Sequence, residues 1–254
     1  MPGVHATAVV DSTARLARDV EIGPYAVVGE DVVLGEGTRL LAHAMVLGPA
    51  TLGRENVVHA FAVVGGAPQL KERDRDRASR LTLGDRNVVR EHVTIHRGSD
   101  AGVTRVGDDN LFMVGAHVAH DAVVGSHVTL ANGAQLAGHA VVEDYATFGG
   151  LSGVAQFVRV GESAFVAAGA MCERSVPPFV IVQGDRARVR ALNVVGLRRR
   201  GVPEDSIACL SAAFRELFAG GETLQQALQS VPRGDPYVAR LVAALQRPHE
   251  RSRA

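Results

Sequence analysis

Six histidines crowd the middle of this chain: His92, His96, His117, His120, His127 and His139. The segment Ala116-His-Val-Ala-His-Asp121 sets two of them beside a carboxylate. Histidine titrates near neutrality, and an adjacent carboxylate fixes its tautomer and raises its basicity, so His120 with Asp121 is a candidate general base. Eighteen residues after His120 comes Gly138, and eighteen further on comes Gln156; the same step carries Asp121 to His139. In a chain that coils with an 18-residue turn, these groups stack in two adjacent columns, about 4.8 Å apart from coil to coil. They offer a base, a carboxylate, a glycine with an uncovered N–H and an amide. A backbone N–H beside a base can hold an oxyanion, so the set suits acyl transfer to a hydroxyl better than redox or phosphoryl chemistry.

The coil is itself written in the sequence. Every sixth residue is aliphatic in Val4, Val10, Leu16, Ile22, Val28, Leu34, Leu40, Val46, Leu52, Val58 and Val64. The run resumes as Leu83, Val89 and Ile95, and then from Val106 through Phe112 and Val118 to Val160 and Val166. Four places after an anchor the residue is usually small, as at Ala26, Ala44, Ala62, Ala116, Ala134 and Ser152. A period of six fits neither a helix nor an ordinary strand. It fits a solenoid whose coils each place the same side chain on the same inner wall. Three hexads make one triangular turn, so residues 1–178 are expected to form a parallel β-helix of hexapeptide repeats. Segments 65–82 and 96–105 break the register and are expected to project as loops; long loops on a rigid scaffold are often functional. A basic connecting segment is expected over 179–201, where seven arginines from Arg174 to Arg200 are opposed only by Asp185. Beyond it, Ile207, Leu210, Phe214, Leu217 and Phe218 follow a helical period. Pro203 sits at the first turn of this helix and Gly220-Gly221 stops it. Two more short helices, 222–230 and 235–246, complete a C-terminal helical domain over 202–254, too short to be stable unless packed on the prism or on a neighbouring subunit.

Composition narrows the function classes. Lysine and arginine number 27 against 27 acidic residues, so no global charge points to nucleic acid or an acidic membrane surface. Cys172 and Cys209 form neither a disulfide framework nor a zinc pattern. The repeat begins at Val4 with no secretory pattern before it, and no apolar run reaches the ~18–20 residues of a membrane span. A soluble, cytoplasmic protein is expected. A structural or ice-binding solenoid would want flat outward threonine rows and no charged loop; this chain has the loop and lacks the rows.

The hexapeptide pattern resembles the left-handed β-helix proteins, and within them the UDP-N-acetylglucosamine O-acyltransferase family that starts lipid A synthesis. The likeness rests on Ile22-Gly-Pro-Tyr-Ala-Val-Val-Gly29, Gly84-Asp-Arg-Asn87, Val93-Thr-Ile-His-Arg-Gly98, the Ala116–Asp121 segment, Leu136-Ala-Gly-His139, Val176-Pro-Pro-Phe-Val-Ile-Val-Gln-Gly184 and Asn193 with Gly196-Leu-Arg-Arg-Arg-Gly201. It implies that His120 is the base that deprotonates the sugar 3-hydroxyl, which attacks the thioester of a 3-hydroxyacyl group on acyl carrier protein. Asp121 would support His120, and the Gly138 N–H would hold the thioester oxygen. Lys71, His96, His117, His139, Gln156, Asn193, Arg199 and Arg200 match positions that bind the sugar nucleotide or acyl donor. Phe165 and Ala168 match the positions that measure the acyl chain. The likeness further implies a homotrimer with active sites between prisms, and it implies no cofactor or metal. The sister N-acyltransferase of that pathway carries an N-terminal domain for which there is no room before Val4.

The chain also departs from the family pattern. Leu70 follows Pro68-Gln69 where an aspartate is common, so either Asp74 or Asp76 replaces it from the loop or that contact is lost. Ala155 stands where histidine is frequent, and Val195 where some members have glutamate. Two alternatives remain at this level: a related acyltransferase using another nucleotide sugar, including a 3-amino sugar, and a zinc enzyme resembling the gamma-class carbonic anhydrases, whose histidine pair is more widely spaced than His117 and His120.

Overall fold

The computed structural model describes residues 3–71, 78–221 and 223–247. Strands of two to five residues stack into three walls of a prism. The first wall runs from Val9–Val10 to Met171–Cys172, the second from Arg15–Leu16 to Arg159–Val160, and the third from Glu21–Ile22 to Arg188–Leu192. Pairing is parallel from coil to coil and, away from the two insertions, steps by 18 residues, as in His117↔Gln135↔Gly153↔Met171. The anchors from Ile22 to Val166 are no more than 5% exposed, and the small residues that follow them are fully buried. Each buried aliphatic anchor contributes about 1.5–3 kcal/mol, which makes a one-residue slip of any coil prohibitive.

The corners explain how two-residue strands suffice. At the corner between the third and first walls, Tyr25, His43, Phe61 and His92 all take the left-handed conformation, with φ between 57° and 63°. That conformation is costly for such residues. It is held here because their rings stack coil upon coil at 5.1–5.3 Å. Inside another corner, Asn56, Asn87 and Asn110 are buried, and each side-chain oxygen accepts the backbone N–H of the next coil. Asp121 and His139 occupy the left-handed position of the remaining corner, with φ of 59° each. That is how the period delivers the candidate catalytic groups to one edge of the prism.

The loops are smaller than expected, because strands Val63–Gly66, Arg80–Leu83, Thr94–His96 and Val103–Val106 enter both segments from either side. The prism also continues past residue 178. Val180–Gln183 joins the third wall in parallel with Phe165–Val166, and Arg188–Leu192 turns back antiparallel to close its edge. The basic segment is therefore a hairpin and not a plain connector. Arg188 and Arg190 face solvent while Val189, Ala191 and Leu192 turn inward, an alternation that the charges obscure.

A helix not foreseen, α1 (Val194–Arg199), follows, with Asn193 as its N-cap. Then come α2 (Glu204–Ala219), α3 (Leu224–Ser230) and α4 (Pro236–Gln246). Pro203 caps α2 and does not lie within its first turn. The helices enclose a second core around Phe179, Leu197, Leu210 and Leu241, and Phe214 and Phe218 join it to the prism. Cys172 is buried, Cys209 is exposed and both are free. Among the described residues no helix is long and apolar enough to cross a membrane.

Candidate active site

His120 projects from the outer surface beside Asp121, and its Nδ1 lies 2.8 Å from Asp121 Oδ2. Although it faces outward, it is covered by neighbours and only 8% exposed. The Ser99 hydroxyl donates to the same carboxylate oxygen at 2.6 Å and the Ser99 N–H at 3.0 Å. Burial pushes the Asp121 carboxyl up, but hydrogen bonds from Ser99 and His120 outweigh it and hold the group below its ordinary range. An ionised carboxylate on Nδ1 makes that nitrogen the donor and leaves Nε2 as the basic, outward nitrogen.

Gly138 lies in the column expected for it. A methyl group on its Cα would stand 2.7 Å from His120 Cε1 and 2.8 Å from Nε2, so the imidazole occupies the space a side chain would take. The neighbouring N–H groups of Ala137 and His139 donate to Val154 and His120 carbonyls. The Gly138 N–H has no acceptor among the described residues. A free donor thus sits in the same column as the base.

His117 and His96 continue the same wall. His117 is half-buried, with Nδ1 2.7 Å from Thr94 Oγ1, and burial lowers its pKa. Burial, followed by the nearby His117, His120 and Arg97, pushes His96 down to about 4. Burial thus favours the neutral form of both rings, which adds no positive charge beside His120. A cavity of about 470 Å³ spans this face and is lined by His117, His120, Gly138, Gln156 and Gln69. Lys71 is exposed, two residues beyond Gln69. Asp74 and Asp76, the candidates to replace the missing aspartate, lie outside the described residues.

Sequence reasoning missed the far end of this cavity. Gly153 and Met171 extend the His117–Gln135 column, and a methyl on Gly153 would stand 2.7 Å from Met171 Sδ. Methionine therefore overlies a glycine-floored groove. The same 18-residue step that found Gly138 reaches both residues when it is started from His117.

Asn193, Arg199 and Arg200 are not on this face. They line a second cavity, of about 450 Å³, on the third wall with Phe165 and Tyr145. Asn193 is committed to capping: its Oδ1 accepts the Gly196 N–H at 3.1 Å and its Nδ2 donates to Ser163 O at 2.9 Å. Arg200 is ion-paired with Glu162 and lies 4.0 Å above the Tyr145 ring, whereas Arg199 is exposed. Ala168 is exposed near the corner between the third and first walls, apart from Phe165.

His120, Asp121 and His139 also bring three ligand-type atoms within 4.8 Å of one another. His139 Nε2 is 3.7 Å from Asp121 Oδ2. That oxygen already accepts two donors from Ser99 and one from His120, so its lone pairs are committed to orienting the imidazole.

An acyl-[acyl-carrier-protein]–UDP-N-acetylglucosamine O-acyltransferase of Campylobacter concisus is 39% identical over 227 residues, 89% of this chain and 86% of that protein. This chain belongs to the UDP-N-acetylglucosamine O-acyltransferase family. A family model described as UDP N-acetylglucosamine O-acyltransferase, domain 2, matches residues 176–253. The LpxA structure from Bacteroides fragilis superposes with a TM-score of 0.92 at 32% identity, covering 98% of each chain. The LpxA structure from Moraxella catarrhalis gives 0.90 at 36%, covering 96% of each. As a member of this acyltransferase family, the chain is a left-handed parallel β-helix with a short helical C-terminal region.

Proposed function

We propose that the chain transfers a 3-hydroxyacyl group from acyl carrier protein to the 3-hydroxyl of UDP-N-acetylglucosamine, as the first step of lipid A biosynthesis in the cytoplasm. The observation that carries the reaction class is the free Gly138 N–H in the column of His120. His120 Nε2 takes the hydroxyl proton as the sugar oxygen bonds to the thioester carbon. The carbonyl oxygen gains the charge, and the Gly138 N–H meets it. On collapse the C–S bond breaks, and the imidazolium returns its proton to the departing sulfur. His96, His117, His139, Gln156 and Lys71 hold substrate around that centre. An assay pairing acyl-carrier-protein thioesters with UDP-N-acetylglucosamine and with its 3-amino counterpart tests the substrate, and preferential acylation of the amino sugar overturns it.

The active unit is a homotrimer. The charged positions of the third wall, Glu21, Arg39, Arg188 and Arg190, lie on its first two strands and its last; between them its outward residues, Val57, Val88, Leu111, Thr129, Thr147 and Phe165, carry no charge. Those of the first wall, from Val63 and Thr94 to Gly153 and Met171, carry none at neutral pH either. The second wall bears Arg15, Arg105 and Arg159. A threefold rotation about the corner joining the first and third walls lays the His120 cavity of one protomer against the Arg199 cavity of the next. Asn193, Arg199 and Arg200 then complete a site they cannot reach within one chain, with guanidinium groups suited to a diphosphate. Light scattering is expected to give three chains per particle, and a stable, active monomer would sink this arrangement.

Acyl length is set by Phe165 and Ala168, and Met171 closes the groove over Gly153. One methylene of misfit is worth ~1–3 kcal/mol of discrimination. A preference for donors of about ten to twelve carbons, shorter than fourteen, is expected. Ala168→Gly and Met171→Ala are each expected to move the preference upward in competition between thioesters. A wild-type preference for fourteen carbons would refute this reading.

A further inference from the structure

The short loop over residues 97–102 has no part in the reaction as described so far, yet it closes on the catalytic edge. Its ends are fixed: Arg97 N–H donates to Gly66 O at 3.0 Å, Gly98 N–H to Arg80 O and Arg80 N–H to Gly102 O, both at 3.1 Å. Between them the Gly102 N–H donates to Ser99 O at 2.6 Å, which pulls the turn tight. Added methyl groups show how tight it is. One on Gly98 would stand 2.2 Å from the Gly102 carbonyl carbon, and one on Gly102 would stand 2.0 Å from Asp121 Oδ1. The loop is therefore built to bring Ser99 onto the Asp121 carboxylate. Its last strand supplies a further tether, because the Asp121 N–H donates to the buried Thr104 Oγ1 at 2.8 Å.

The geometry points to Ser99 as a positioning residue for acyl transfer, fixing through its hydroxyl and amide the Asp121 carboxylate that orients His120. This rests on His120 being the base. Three donors meet on Asp121 Oδ2: the Ser99 hydroxyl at 2.6 Å, the His120 ring nitrogen at 2.8 Å and the Ser99 N–H at 3.0 Å. The Ser99 N–H also lies 3.2 Å from Oδ1, so the loop grips both oxygens and holds the carboxylate with Oδ2 turned toward the imidazole. That sets the ring plane and the tautomer, and leaves Nε2 over the groove. Short hydrogen bonds to an ionised acceptor are about twice as strong as neutral ones, so the cradle resists rotation of the carboxyl group. The titratable groups around Asp121 are His120 and His139, with His117, His96 and Arg97 behind His120. None of them replaces a donor lost from the loop side.

The test compares Ser99→Ala and Ser99→Thr in the full chain. Removing the hydroxyl takes a donor from the carboxylate, so Asp121 is expected to bind its proton at higher pH. Titration of its carboxyl carbon by NMR should move up by about half a pH unit or more. Turnover is expected to fall about tenfold with KM for the sugar nucleotide within twofold, and the acid limb of kcat/KM should rise with the titration. Ser99→Thr should restore most of both. In an Asp121→Asn background, Ser99→Ala should cost less than a further twofold, since the two residues act through one path. An unmoved Asp121 titration, unchanged turnover, or full additive losses in the double variant would each overturn the assignment. A His120→Ala variant that kept its turnover would instead remove the base while leaving the Asp121 titration to report on the cradle.

Discussion

His120→Ala is expected to lower kcat by ~10²–10⁴-fold, the usual cost of a missing general base. At about 1.4 kcal/mol per decade this removes roughly 3–5 kcal/mol of transition-state stabilisation. The protein should remain folded and assembled, because His120 lies outside the apolar core of the prism and its backbone bond to His139 N–H survives the substitution. KM for the sugar nucleotide should change little, since the substrate is also held by groups that remain. Steady-state kinetics with a carrier-protein thioester, run beside light scattering, separate these effects. Turnover above about a tenth of wild type would show that another group takes the proton. His139 would then be the first to examine, being 3.7 Å from the same carboxylate oxygen.

The sequence was most legible where a single physical requirement repeats. Each coil must bury an aliphatic side chain at the same place, so the six-residue period alone predicts the three walls and the 18-residue register. The register in turn stacks His120 with Gly138, because position along the coil and position on the outer face are one variable in a solenoid. Such arithmetic stops where the repeat stops. The hairpin of Val180–Gln183 and Arg188–Leu192 was hidden because its outward positions are arginines, so the segment looked like a charged connector. Helix α1 is only six residues long, too short for its periodicity to stand out from neighbouring segments.

Among the site residues, two kinds resisted a reading from one chain. Asn193, Arg199 and Arg200 carry suitable chemistry but sit on a wall that faces away from His120, and no spacing rule within a chain describes the contact between copies that we propose for them. Ser99 is illegible for another reason. Its contact with Asp121 spans 22 residues and depends on a tight turn, whose closure comes from Gly98 and Gly102 and not from a register. Met171 stands in the column of His117, Gln135 and Gly153, not in those of His120 and Asp121, and as an apolar residue it carries no chemistry that marks it as a site residue in the sequence.

Gly138→Ala carries the second large expectation, since it alters the site without removing any catalytic atom. Alanine is conformationally acceptable there: Gly138 is not among the glycines with a left-handed backbone, so the fold should tolerate it with little change in melting temperature. The added methyl cannot be accommodated with His120 in place, because contacts of 2.7 Å and 2.8 Å to its ring atoms are far inside van der Waals distance. One of the two must yield. The Gly138 backbone is hemmed in by the Phe157 N–H bonded to its carbonyl and by the flanking N–H groups of Ala137 and His139, so the imidazole is the part that moves. Displacing a reacting group by about 1 Å costs on the order of 10²-fold, and the methyl also shades the N–H that receives the oxyanion. We expect kcat to fall by about two decades or more while thermal unfolding stays within a few degrees of wild type. The control is Gly153→Ala, where the methyl meets the movable sulfur of Met171; it should change acyl-length preference and spare turnover on short donors. If Gly138→Ala kept kcat within threefold, the space beneath His120 would not be what places the base, and the shared column of base and N–H donor would lose its meaning for the reaction.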